Sequence, residues 1–207
     1  AFVAELGNRP EAVPGARGVL PPATEPGITG LVGSPAAGLP DGIGRATPPA
    51  LTRIAALRLP GEAVMLVCPS DHHIGDPAAF AKAARAAAVL ASDGWLVSFG
   101  IEATAPETGF GYLKRGEGID GKGYRVAQFV EKPDLERAMS FLADGGYSWN
   151  GGIFAFRVKD FLAELESHRP AIAAASREAV SKGREEGRRF HPDAAAFAKI
   201  EGESVDY

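Results

Sequence analysis

Residues 63–101, AVMLVCPSDHHIGDPAAFAKAARAAAVLASDGWLVSFGI, decide how this chain folds. The opening run AVMLVC is short and apolar at every position, which predicts a strand buried on both faces. Asp76-Pro77 then opens the alanine-rich helix AAFAKAARAAAVLAS, and Gly94 ends it. WLVSFGI follows as a second buried strand. A strand, a helix and a strand, with no polar face on either strand, predict an α/β fold with a three-layer, mostly parallel sheet covered on both sides.

The same alternation continues outward. YRVAQFVE and IFAFR read as a third and a fourth strand, and DLERAMSFLAD, VKDFLAELESH and AIAAASREAVSKG as helices, with a weaker one at DAAAFAKI. Upstream, Thr47 is placed to cap a helix whose first turn holds Pro48 and Pro49 and which continues as ALTRIAALRL. Before it the character changes. Residues 1–50 are crowded with Gly and Pro and lack hydrophobic periodicity, so they read as loop or insertion, with a short helix in AFVAEL. The expected division is an irregular or degenerate segment over 1–43 and a partial domain over 44–207.

Composition narrows the function. The 207 residues are 45% apolar and 23% charged, ordinary usage for a soluble domain with a sizeable core. A net charge of −4 and a pI near 5.6 give no electrostatic basis for a nucleic-acid surface. An anionic substrate must then be held by a few placed cations or a metal ion. The single cysteine, Cys68, excludes an internal disulfide and fits a reducing compartment. No apolar run approaches the ~20 residues of a membrane span, and no basic-then-apolar leader is visible, so a cytoplasmic location is expected. The start at Ala1 rather than Met leads to the expectation of an incomplete chain.

In α/β sheets ligands bind at the carboxyl ends of strands, which singles out the polar clusters that follow them. After AVMLVC stand Asp71, His72 and His73; the carboxylate suits Mg²⁺, although a turn Asp satisfying local amides reads equally well. A transition-metal site built on Asp-His-His needs further ligands that nothing upstream supplies. PETGFGYLKRG has glycines at 109, 111 and 116, which either let a ligand approach the backbone or simply lead into a hairpin. In YSWNGGIF, Asn150 offers a donor and an acceptor to a sugar hydroxyl, or caps a turn. VAQFVEKPD places Glu131 and Lys132 where a strand surfaces, with Pro133 ending it. Taken together, a metal carboxylate, a cation, a hydroxyl-binding carboxylate and an amide are the equipment for a sugar phosphate.

The motifs LVCPSDHHI, FGIEATAPETGFGYLKRG, VAQFVEKPD, YSWNGGIFAF and SVDY occur in the order and approximate spacing of mannose-1-phosphate guanylyltransferases. The chain most resembles the bacterial type often fused to a mannose-6-phosphate isomerase domain, over roughly residues 44–207. GRATPPALTRIAAL is similar to that family's GRNTAPA helix start. The resemblance implies a nucleotide-diphospho-sugar transferase (Rossmann-like) fold, incomplete here, and the reaction of GTP with mannose 1-phosphate to give GDP-mannose, a precursor for polysaccharide, and pyrophosphate. It implies Asp71 and Asp206 as ligands to Mg²⁺ and Lys132 as the cation on the sugar phosphate, with Lys132 and Asp71 as the catalytic pair. It further implies Glu131 and Asn150 on mannose hydroxyls, Gly111 as the close-approach glycine, and Arg45 and Thr47 beside the nucleotide. A homo-oligomer is left open.

Departures from the family pattern are also visible. The glycine-rich loop of the form GGxGxRLWPLSR, which wraps the triphosphate, is not found in residues 1–43. Ala46 stands where the family has Asn, and Gly151 where WNSG has Ser. These differences predict weak or no transfer by the 207-residue chain, either as a fragment truncated at both ends or as a degenerate copy. The alternatives are a non-catalytic sugar-phosphate-binding relic or regulatory partner, and another sugar-1-phosphate nucleotidyltransferase.

Overall fold

The structure, a computed structural model, describes residues 2–6, 47–69, 72–119, 123–187 and 189–200. In chain order the elements are β1 (Phe2–Leu6), α1 (Thr47–Ala56), β2 (Val64–Val67), α2 (Pro77–Ser92), β3 (Val97–Glu102), β4 (Tyr112–Ile119) and β5 (Gly123–Val130). They continue with α3 (Leu135–Asp144), β6 (Tyr147–Arg157), α4 (Val158–His168), α5 (Pro170–Ser181), β7 (Arg184–Glu186), β8 (Arg189–His191) and α6 (Ala194–Phe197).

The residues that made 63–101 legible build the centre. Alternate side chains of β2 enter different cores: Val64 and Leu66 pack with Phe80, Ala87 and Leu90 of α2, whereas Met65 and Val67 pack with Ala56 of α1 and Val158 and Phe161 of α4. β6 divides the same way, Ile153 and Ala155 to one side, Phe154 and Phe156 to the other. Helices therefore cover both faces, and the three layers expected from apolar strands are present. Asp76 caps α2 by accepting from the N–H groups of Ala78 and Ala79 at 3.0 and 2.9 Å. A third core joins β4, β5, α3 and β6 through Tyr112, Val130, Ala138, Phe141 and Tyr147. A fourth, at Ile54, Ala179 and Ala196, joins α1, α5 and α6.

Strand direction differs from the expectation of a mostly parallel sheet. The order is β2-β6-β3-β1-β5-β4, and β1–β3 is the parallel pairing; the other pairings among the described residues are antiparallel. β1, β2, β3 and β4 run one way and β5 and β6 the other, so β2 and β3 are parallel to each other with β6 inserted between them. An all-apolar strand reports burial on two faces and says nothing about its neighbour's direction. AFVAEL is likewise corrected: its residues 2–6 form β1, in parallel register with Val97–Ile101, not a short helix. β4 was hidden by its glycines, which sit where the β4–β5 register shifts at Arg115 and Gly118; a Cβ at Gly116 would lie 3.0 Å from the Arg125 carbonyl oxygen. The β7–β8 hairpin, with Gly187 at φ +61°, lies between the helices read at AIAAASREAVSKG and DAAAFAKI, where no element was expected.

Candidate active site

β6 has β3 along one edge and changes partner along the other. Tyr147–Trp149 pair with β4, and Phe154–Arg157 pair with β2. Between them, at 151–153, that edge carries no strand among the described residues. Pro69, two residues past β2, stands beside this opening, 3.7 Å from where a Cβ of Gly152 would lie. Two strands thus part from a third just past the carboxyl end of β2, where the sequence pointed to a site.

The dipeptide Phe110-Gly111, just before β4, joins the segments around the opening. The Lys132 N–H donates to the Phe110 carbonyl at 3.2 Å, and the Asn150 N–H donates to the Gly111 carbonyl at 2.7 Å. A Cβ on Gly111 would sit 2.7 Å from Oε2 of Glu131 and 3.0 Å from the Phe129 ring, so only glycine lets the carboxylate lie flat against this backbone. Four residues expected at the site, Gly111, Glu131, Lys132 and Asn150, are thus brought together. Asn150 is not at a strand entrance, as its glycines suggested, but inside β6 where its partner changes.

Glu131 and Lys132 form an ion pair, Nζ to Oε1 at 3.4 Å, with the lysine side chain 64% exposed and the glutamate 28%. The ammonium therefore faces solvent while the carboxylate is drawn inward. Lys132 also has φ +43°, the one positive value on a non-glycine among the described residues. That left-handed geometry before Pro133 costs on the order of 1–3 kcal/mol and is typical of functional turns. Asp134 then starts α3 by accepting from the Arg137 N–H at 2.8 Å. Phe110 leans edge-on against Trp149 with centroids 5.3 Å apart and leaves 46% of its surface exposed.

Arg45, Asp71 and Asp206 lie outside the described residues, and Thr47 is the first residue of α1. Among the described residues no group of three or more His, Cys, Asp or Glu stands ready to hold a metal ion. His72 and His73 are exposed, and Cys68 is a free, exposed thiol at the end of β2.

Sequence reasoning missed Ser98. Ser98 is 5% exposed on β3, and its hydroxyl donates to Oδ1 of Asn150 at 3.0 Å. The available signal was a lone hydroxyl inside the apolar run LVSFGI.

Residues 40–194 match the Nucleotidyl transferase family, and the chain belongs to it. The α/β nucleotidyltransferase fold read from the sequence is therefore the right one, apart from the strand directions corrected above. Among relatives, the chain is similar to xanthan biosynthesis protein XanB of Xanthomonas campestris pv. campestris (strain B100), 46% identical over 166 residues, which are 79% of this chain and 35% of that protein. It is 42% identical over 170 residues to a mannose-1-phosphate guanylyltransferase of Escherichia coli, covering 80% of this chain and 36% of that one. The chain thus spans about a third of the length of these curated relatives. A solved structure described as mannose-1-phosphate geranyltransferase from Thermus thermophilus superposes with a TM-score of 0.64 at 31% identity, over 76% of this chain and 44% of that one. Another, described as mannose-6-phosphate isomerase from Helicobacter pylori, gives 0.69 at 31% identity, over 78% and 63%.

Proposed function

We propose that this domain serves the transfer of GMP from GTP to mannose 1-phosphate, giving GDP-mannose and pyrophosphate. The observation that supports it is the junction at Phe110-Gly111, which draws Glu131, Lys132 and Asn150 to one opening in the sheet. In this reading Glu131 and Asn150 take mannose hydroxyls, Gly111 admits the sugar against the backbone, and Lys132 holds its phosphate. Arg45 and Thr47 border the nucleotide.

A phosphate oxygen of the sugar attacks the α-phosphorus of GTP in line, and the bond to the β,γ-pyrophosphate breaks. No base is required, because a phosphate monoester is already ionised. The domain's task is to bring two polyanions together and offset their charge, and Lys132 does so on the nucleophile. Mg²⁺, held by Asp71 and Asp206, would supply charge neutralisation across both phosphates.

Calorimetry with mannose 1-phosphate and a pyrophosphate-release assay with GTP test the proposal. The expected result is sugar-phosphate binding with weak turnover, since residues 1–43 lack the glycine-rich loop that would supply an Arg and a Lys to the triphosphate. No affinity for mannose 1-phosphate sinks the reading. The absence of that loop also favours a second one, a non-catalytic partner of an intact transferase; binding of mannose 1-phosphate with neither GTP binding nor turnover would select it. If other nucleotides or sugar phosphates protect better against proteolysis, the specificity is that of a different sugar-1-phosphate nucleotidyltransferase. No helix among the described residues is long and apolar enough to cross a membrane. We place the reaction in the cytoplasm.

A further inference from the structure

We infer that Tyr112 is a positioning residue for this site, acting through its hydroxyl from behind the residues that meet the ligand. The inference rests on the mannose 1-phosphate reading above. At this level β4 lies between β5 and β6, with Tyr112 opposite Val130 on one side and Trp149 on the other. Each of these has a site residue next to it in the chain: Gly111 before Tyr112, Glu131 after Val130, Asn150 after Trp149. Neighbouring residues of a strand present their side chains to opposite faces. Gly111, Glu131 and Asn150 thus form one row across the sheet. Val130, Tyr112 and Trp149 form the row that supports it, packed in the core shared with α3.

Tyr112 stands in the middle of that supporting row and is wholly buried. Its ring leans on Phe141 of α3, with centroids 5.3 Å apart. That contact needs no hydroxyl, and a buried phenol without a partner would be costly. The hydroxyl is used on the loop that leads from β3 to β4. It donates to the Glu107 carbonyl at 2.9 Å and lies 3.4 Å from that of Ala105. The Glu107 N–H donates to the same Ala105 carbonyl at 2.9 Å, closing a tight turn about Pro106 over the phenol. Just beyond, the loop becomes Phe110-Gly111, whose carbonyls take the Lys132 and Asn150 N–H groups. Residues 107–110 are exposed, so packing holds them little. The hydroxyl therefore anchors the loop shortly before it reaches the site, and sets where Gly111 offers its backbone to a sugar.

Tyr112→Phe removes the oxygen alone and keeps the ring against Phe141, so the variant should fold. Calorimetry should find it binding mannose 1-phosphate about fivefold more weakly than wild type. Amide hydrogen exchange of the unliganded chain, followed by NMR, separates positioning from a general loss of stability. The backbone N–H groups of Lys132 and Asn150, which rest on Phe110 and Gly111, should exchange faster in the variant. Those of Phe80 and Ala173, bonded at the starts of α2 and α5, should change less. Affinity within about twofold of wild type overturns the inference. So does an acceleration spread equally over all four amides, or one absent from Lys132 and Asn150. If wild type fails to bind mannose 1-phosphate, the functional reading fails, and the exchange pattern alone decides the role of Tyr112.

Discussion

Lys132 asks two different things of one residue. Its backbone takes φ +43° and donates to Phe110, while its side chain carries the cation at the opening. Substitutions separate these. Lys132→Gly accepts the left-handed geometry freely and should leave stability within about 1 kcal/mol of wild type. Lys132→Val cannot adopt it cheaply and should lose about 1–3 kcal/mol in urea denaturation. Both should lose affinity for mannose 1-phosphate. A valine variant as stable as the glycine one would show that the turn carries no strain. Glu131, Lys132 and Asn150 were legible in the sequence because charges and amides stood beside strands that had no use for them. Ser98 was not, because a serine in a strand is chemically quiet until the residue it touches is known.

Among the elements, β6 carries most of the design. It is continuous from Tyr147 to Arg157, yet its two halves belong to different neighbours, and Gly151 marks the change. The Ser of the WNSG motif that the sequence resembles would meet a close neighbour here. Gly151→Ser would put a Cβ 2.9 Å from the Phe99 carbonyl and 3.2 Å from the Ile101 side chain, both on β3. We expect a loss of about 1–3 kcal/mol from this overpacking, read as a lower urea midpoint at unchanged slope. A neutral substitution would mean that β3 yields easily at its register shift. The strands AVMLVC, WLVSFGI and IFAFR were legible because burial on two faces leaves an unbroken apolar run. Their directions were not, since pairing depends on residues far away in sequence. β1 was misread as helix because five residues are too few to distinguish a period of two from one of 3.6.

At the scale of the whole molecule, α5 ties the last described helix to the rest. Glu178 pairs with Lys182 at 2.7 Å and with Lys199 at 3.3 Å, and its hydrogen bonds to Lys182 and Lys199 hold its carboxyl below the usual 4.5. A depressed carboxylate adds stability above its unfolded pKa and loses it as pH falls through the folded value. Glu178→Gln should therefore melt lower than wild type at pH 7 and match it once the pH has fallen through the lowered folded value and the carboxylate is protonated. Because these groups are exposed, the gap should be small and shrink in salt. A gap that persists in acid would assign the effect to packing instead of charge.

The pairing of β4 with β6 brings the sheet back on itself through β3, β1 and β5. Its closing member, β1, holds residues 2–6, while its partners begin at Val97 and Gly123. On a ribosome β1 must wait until β3 has emerged before it meets either partner, an interval of several seconds or more at ordinary synthesis rates. Throughout that wait FVAEL has no mate among the described strands, which makes the newborn chain a natural client for a holding chaperone.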